Sequence, residues 1–176
     1  MATIEELDAL GVLAATLGAD ARVFHVGFVV PDLDSAIKDV GQTLGLTFTE
    51  PVEVAGLTLH TSAGERDDVV LRFTYSTRPT HVELIEHTAA PETLWDFGSR
   101  TRGHHIGVFS EDVAIEAERL DACGWNRSWW ATAPDGTMVF SMHDTPYGFA
   151  VELVSSAGKQ YFAGQFIEAD ESLKEK

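Results

Sequence analysis

Alternation of apolar and polar residues with a period of two dominates the middle of the chain. F-H-V-G-F-V-V (24–30), R-D-D-V-V-L-R-F-T-Y-S (66–76), T-H-V-E-L-I-E (80–86), H-H-I-G-V-F-S (104–110), G-T-M-V-F-S-M-H (136–143) and F-A-V-E-L-V-S (149–155) read as strands. Turn chemistry separates them at Thr77–Pro79, A-P-D-G (133–136) and D-T-P-Y-G (144–148). Two amphipathic stretches break the alternation, D-S-A-I-K-D-V-G-Q-T-L-G (34–45) and A-I-E-A-E-R-L-D-A-C-G (114–124). Each ends in a glycine suited to a helix C-cap, Gly45 and Gly124. Ile4, Leu7, Leu10, Leu13 and Leu17 fall near helical period and predict a further helix over 3–18. The charged tail E-A-D-E-S-L-K-E-K is expected to fray.

These elements repeat. F-H-V-G-F-V-V-P-D-L (24–33) aligns with H-H-I-G-V-F-S-E-D-V (104–113), putting His25 over His105, Gly27 over Gly107 and Asp32 over Asp112. V-E-L-I (82–85) likewise matches V-E-L-V (151–154). A unit of roughly 80 residues therefore occurs twice, each copy reading β-α-β-β-β, an α+β arrangement too long and too few in copies for a solenoid. The expected organisation is an N-terminal helical extension over 1–20, a paired domain over 21–156 with modules at about 21–90 and 101–156, and a C-terminal tail over 157–176.

Strand parity picks out candidate chemistry. Successive side chains point to opposite faces, so His105 shares a face with Gly107 and Phe109, while His104 goes with Ile106 and Val108. His25 lies with Gly27 and Val29. Phe24, Val26 and Phe28 take the other face, expected to pack under a helix. Glu83 and Glu152 point away from their Val and Leu neighbours. A lone histidine or glutamate on a strand is usually structural, but here each module supplies one of each at equivalent positions. Two imidazoles and two carboxylates, from His25, Glu83, His105 and Glu152, suit a divalent metal and leave a neutral site.

Composition narrows the function classes. A formal net charge of −16 argues against nucleic acid and against long-range attraction of anionic ligands. No stretch reaches the ~20 apolar residues of a membrane span, and the acidic N-terminus is unlike a secretion signal, so a cytoplasmic location is expected. The single cysteine, Cys123, stands at a helix C-terminus, where the dipole disfavours a thiolate.

The duplicated His and Glu positions resemble the vicinal oxygen chelate superfamily, which includes glyoxalase, methylmalonyl-CoA epimerase, extradiol dioxygenases and bleomycin-resistance proteins. The resemblance covers roughly 22–155. It implies paired β-α-β-β-β modules forming a half-open barrel around a metal, with ligands on the first and last strand of each module. Those positions are again His25, Glu83, His105 and Glu152. The stretch E-L-I-E-H-T-A-A-P-E-T-L-W-D-F-G-S-R-T-R-G-H-H-I-G-V-F (83–109) resembles the epimerase branch, which carries a paired His-His-Ile after a short connector. Many epimerases have Gln where this chain has Glu83, and glyoxalases more often have Glu. Glu53 and Glu65 are both candidates for an epimerase's second catalytic carboxylate. Arg66, Arg72, Arg78, Arg100 and Arg102 could compensate an anionic thioester locally.

The resemblance implies a divalent ion, Zn, Co, Ni, Mn or Mg, and a substrate with a carbonyl or neighbouring oxygens. It also implies proton transfer next to that carbonyl, with Glu152 or Glu83 as base. The expected activity is that of an epimerase or isomerase, the alternatives being a glyoxalase-like lyase and a drug-binding protein of the bleomycin-resistance type. A fourth protein ligand, Glu83, argues against a dioxygenase. The superfamily further implies a homodimer. Trp129, Trp130, Trp95 and Phe97 are expected to pack or to line the pocket, and His143 could reach a ligand from the barrel rim.

Overall fold

Two aspartates start the two α-helices found among the described residues. Asp32 accepts a hydrogen bond from the Ser35 amide at 2.8 Å and Asp112 one from the Ile115 amide at 3.0 Å, so each repeat opens its helix with the same N-cap. Gly45 closes the first helix in the left-handed region at φ 67°, where a Cβ would be strained. The computed structural model describes residues 23–78, 80–86 and 104–158. The helix expected over 3–18, the connector with Trp95 and Phe97, and the tail beyond 158 lie outside the described residues.

The elements run β1 (Val23–Val30), α1 (Leu33–Leu44), β2 (Val52–Val54), β3 (Thr58–Thr61), β4 (Gly64–Arg66), β5 (Leu71–Tyr75), β6 (His81–Glu86), β7 (His105–Ser110), α2 (Val113–Ala122), β8 (Arg127–Thr132), β9 (Met138–Asp144) and β10 (Ala150–Ser155). They form one mixed sheet in the order β2-β5-β6-β1-β7-β10-β9-β8-β3-β4. The duplication is visible in that order. β2-β5-β6-β1 and β8-β9-β10-β7 are the same four-stranded unit, joined where β1 and β7 pair antiparallel. Within each unit the first and last strands run parallel, β1 with β6 and β7 with β10.

The first module departs from simple β-α-β-β-β by an added hairpin, β3–β4, which leaves its own module and extends the second module's edge through β8. β2 and β3 thus sit near opposite ends of the sheet yet are joined by residues 55–57 alone. Such a link spans at most ~14 Å. The sheet must therefore curl until its ends approach, which makes the half-barrel.

Its concave face carries the main core, with Val29, Leu59, Leu71, Ile85, Trp129 and Met142 buried together. On the convex face α2 packs Val113, Ala117 and Leu120 against Val151 and Leu153. α1 lies over β6. Neither helix roofs the middle of β1, so Phe28, expected under a helix, is 39% exposed. Among the described residues no helix is long and apolar enough to cross a membrane.

Candidate metal centre

Register across the seam places the four repeat-matched residues. One row of paired positions reads Glu83, Gly27, His105, Ala150, and the next reads His81, His25, Gly107, Glu152. Each histidine stands opposite the other module's glycine, and each glutamate stands beside its own module's glycine. That pairing explains the H-x-G phrase in both copies. A Cβ built on Gly27 would overlap the His105 ring, and one on Gly107 would overlap the His25 ring. Each imidazole lies flat across the partner strand because no side chain stands there.

The rings and carboxylates converge. His25 Nε2 is 3.0 Å from His105 Nε2, 3.2 Å from Glu83 Oε2 and 3.3 Å from Glu152 Oε2. His105 Nε2 is 3.0 Å from Glu83 Oε2 and 3.6 Å from Glu152 Oε2. All four residues are buried, and one donor atom from each lies within 4.8 Å of the others. Separations of 3.0 to 3.6 Å are close to the edges of a coordination polyhedron with bonds of ~2.1 Å, about 3.0 Å if octahedral and about 3.4 Å if tetrahedral. Glu152 Oε2 is buried within reach of both rings but has no aligned hydrogen bond, and His25 Nδ1 is also buried without one. The donor set fits a divalent ion, and the group could hold one.

Electrostatics agree. Two carboxylates in a buried cleft cost several kcal/mol each unless something positive lies between them. Without an ion, that role falls to a proton on His25. Burial pushes its pKa down, but the carboxylates of Glu83 and Glu152 beside it outweigh burial and carry it up to about 9. Burial in turn raises the Glu83 carboxyl, yet His25 and His105 outweigh it and hold Glu83 well below the usual carboxylate range. Proton and metal therefore compete for one place.

Glu83 and Glu152 line one wall of a cavity of about 320 Å³, where the other described residues are mostly apolar, such as Phe73, Ile85, Phe140 and Val154. Tyr75 joins them, hydrogen-bonded to Glu83 and register-paired with it across β5–β6. Burial, reinforced by the two carboxylates, pushes its phenol well above the ordinary value, so it stays protonated. Sequence reasoning missed Tyr75. The only signal was its parity, one strand over from Glu83.

Several other candidates lie elsewhere. His104 is exposed on the far face, against Phe28. Glu53 is exposed and 3.8 Å from Arg72, while Glu65 is exposed beside His60, so neither reaches the cavity. His143 is buried under α2, with Nδ1 3.0 Å from the Trp125 carbonyl oxygen and Nε2 3.0 Å from Ser141 Oγ. It faces away from the barrel interior because β9 alternates and Met142 takes the inward position. Trp129 packs edge-on to Phe140 in the core, and Trp130 stacks on His60.

The sequence profile of the glyoxalase/bleomycin resistance protein/dioxygenase superfamily matches residues 24–141. The chain belongs to that superfamily. No curated protein matches it in sequence. Among solved structures, a methylmalonyl-CoA epimerase from Mycobacterium tuberculosis superposes with a TM-score of 0.52 at 19% identity, covering 79% of this chain and 90% of that one. A methylmalonyl-CoA epimerase in complex with methylmalonyl-CoA and NH4+ gives 0.52 at 18% identity, covering 78% and 95%. A hypothetical protein from Bacillus halodurans gives 0.50 at 11%, covering 76% and 93%. At these identities the shared property is the fold, and the superfamily spans several chemistries.

Proposed function

We propose that the protein is a divalent-metal-dependent epimerase or isomerase that moves a proton next to the carbonyl of a small chelating molecule. The observation that carries this reading is the position of Glu83 and Glu152, which belong both to the candidate metal centre and to the cavity wall. A divalent ion held by His25, Glu83, His105 and Glu152 supplies Lewis-acid polarisation of a substrate carbonyl.

The rest falls to the chain's own groups. Glu152 lines the cavity as well as the candidate centre, so the carboxylate oxygen it does not commit to the ion accepts the proton from the carbon beside the carbonyl. Glu83 is anchored by His105 at 3.0 Å and by Tyr75, and it comes from the module related by the pseudo-twofold. Proton removal on one side and return from the other inverts the carbon. Return by Glu152 to a neighbouring carbon gives an isomer instead. Tyr75, protonated, commits its one O–H to Glu83 and so fixes that carboxylate beside the cavity. The apolar walls exclude water and strengthen each of these interactions.

The test is incubation of the metal-loaded protein in deuterated water with a panel of 2-substituted acyl thioesters, including methylmalonyl-CoA, and 2-hydroxy ketones. Solvent deuterium at the carbon next to the carbonyl, lost in Glu152→Gln, is expected. Turnover with oxygen consumption and no exchange would refute the reading. Glu83, a carboxylate where many epimerases carry Gln, favours a glyoxalase-like lyase as the second reading. Net conversion of a hemithioacetal would identify it.

A further inference from the structure

The duplication extends past the four candidate ligands into the cavity wall. Two residues beyond Glu83 on β6 stands Ile85, paired across β5 with Phe73. Two residues beyond Glu152 on β10 stands Val154, paired across β9 with Phe140. Each module thus sets one aliphatic side chain beside one phenylalanine, in the same register relative to its own glutamate. Strand parity turns these residues to the same face as the glutamates, and all four line the cavity. A set of metal ligands fixes only the glutamates, so the matched pairs need another reason. Core packing supplies part of it, since Ile85 and Phe140 are buried in the main cluster. Phe73 and Val154, however, are half-buried, and each of the four has a side open to a hollow of about 320 Å³.

The position of the pairs suggests what fills that hollow. A strand rises ~3.3 Å per residue, so the pairs stand ~7 Å further along the barrel than the glutamates. A ring or branch bonded to the chelating carbons of a metal-bound molecule would lie at that level. Surfaces of hydrocarbon hold water poorly, and an apolar group that displaces such water gains affinity. A methyl group would leave most of the hollow unfilled. Phenylalanine rings, one from each module, add offset or edge-on contacts for a flat body.

We infer that the cavity selects a chelating molecule with a bulky apolar group, aryl or branched alkyl, bonded to one of its chelating carbons. That group packs against both the Phe73–Ile85 and the Phe140–Val154 pairs. The inference rests on the metal-centred reading above and deepens it by naming the substrate class. Phe73 and Phe140 are then specificity determinants, and a substrate with only a methyl at that place is a poor one.

The experiment is calorimetric titration of full-length, zinc-loaded, desalted protein with benzohydroxamic acid and with acetohydroxamic acid at neutral pH. The two probes share a chelating head and differ by phenyl against methyl. Benzohydroxamic acid is expected to bind at least about tenfold more tightly. Equal affinity, or preference for the methyl probe, overturns the inference while leaving the metal centre standing. Failure of both probes on protein that retains zinc also overturns it. Failure to retain zinc overturns the metal-centred reading beneath it, and elemental analysis of the same sample separates the two cases. Phe73→Ala and Phe140→Leu should each lower the phenyl-to-methyl affinity ratio at least about threefold with zinc still bound. Phe140 is the more deeply buried, so thermal unfolding of both variants checks that they fold. Phe73→Ala decides the matter if Phe140→Leu does not fold. A wild-type ratio in Phe73→Ala would put the phenyl group somewhere other than this wall and overturn the inference.

Discussion

Gly27→Ala and Gly107→Ala should disable the metal centre without touching a ligand. A Cβ on Gly27 would overlap the His105 ring, with even its Nδ1 only 2.7 Å away, and a Cβ on Gly107 would overlap the His25 ring. Ordinary carbon contact is ~3.5 Å, so each ring must retreat by about 1 Å or more. Both histidines are fully buried, which leaves little space to retreat into. A metal–nitrogen bond tolerates ~0.2 Å. Either alanine should therefore remove one imidazole from the set and weaken metal binding by at least about 100-fold, more than loss of a supporting hydrogen bond would cost. Overpacking adds about 1–3 kcal/mol of destabilisation. The assay is a competition titration with a coloured chelator, alongside thermal unfolding of metal-free protein. His104→Ala, on the exposed face, serves as control and should behave as wild type. If Gly27→Ala kept wild-type affinity and stoichiometry, the imidazole would not lie across that strand and the account of the centre would fail.

Further expectations concern protons and the cavity. His25 rises from 6.5 to about 9 on folding without metal, so its contribution is fully present below pH 6.5 and is lost as pH climbs through 9. It amounts to roughly 3 kcal/mol, counted once for the His25–carboxylate pairing. Glu83 is shifted down, so its contribution is present above its ordinary value of 4.5 and lost as pH falls. Denaturant midpoints of metal-free protein should therefore peak between about pH 4.5 and 6.5, and the gain from added metal should grow from pH 6.5 to 9 as protons compete less. A flat profile with and without metal would contradict this. Glu152→Gln keeps shape and loses the base: α-proton exchange should fall by at least about 100-fold with the unfolding midpoint little changed. Tyr75→Phe removes the hydrogen bond to Glu83. It should lower exchange about 10- to 100-fold with metal still bound, and loss of metal instead would make Tyr75 a support of the ligand set alone.

Much of the centre was legible because strands have a period of two. Parity alone separated His105 from His104, and the repeat marked His25, Glu83 and Glu152, which the structure brings together with it. The same parity showed Gly27 and Gly107 as matched positions but not why. Their role depends on antiparallel register between modules, a pairing 80 residues apart that local pattern does not encode. The added hairpin was hidden for a similar reason, since β3 finds its partner in β8 of the other module. Glu53 looked available because a carboxylate near the first module's variable strands fits an epimerase. On a three-residue strand its direction is set by Val52 and Val54, and Glu53 turns out to Arg72. His143 misled because its nearness to a turn suggested the rim, whereas β9 carries it under α2.

The most direct test of the metal centre is metal content per chain. Full-length protein, purified without chelators or an immobilised-metal column, would be measured by elemental analysis beside the His25→Ala/His105→Ala double variant. The account predicts close to one divalent ion per wild-type chain and almost none in the variant. Wild-type protein that holds no ion, even after incubation with zinc, cobalt, nickel, manganese and magnesium, would contradict it.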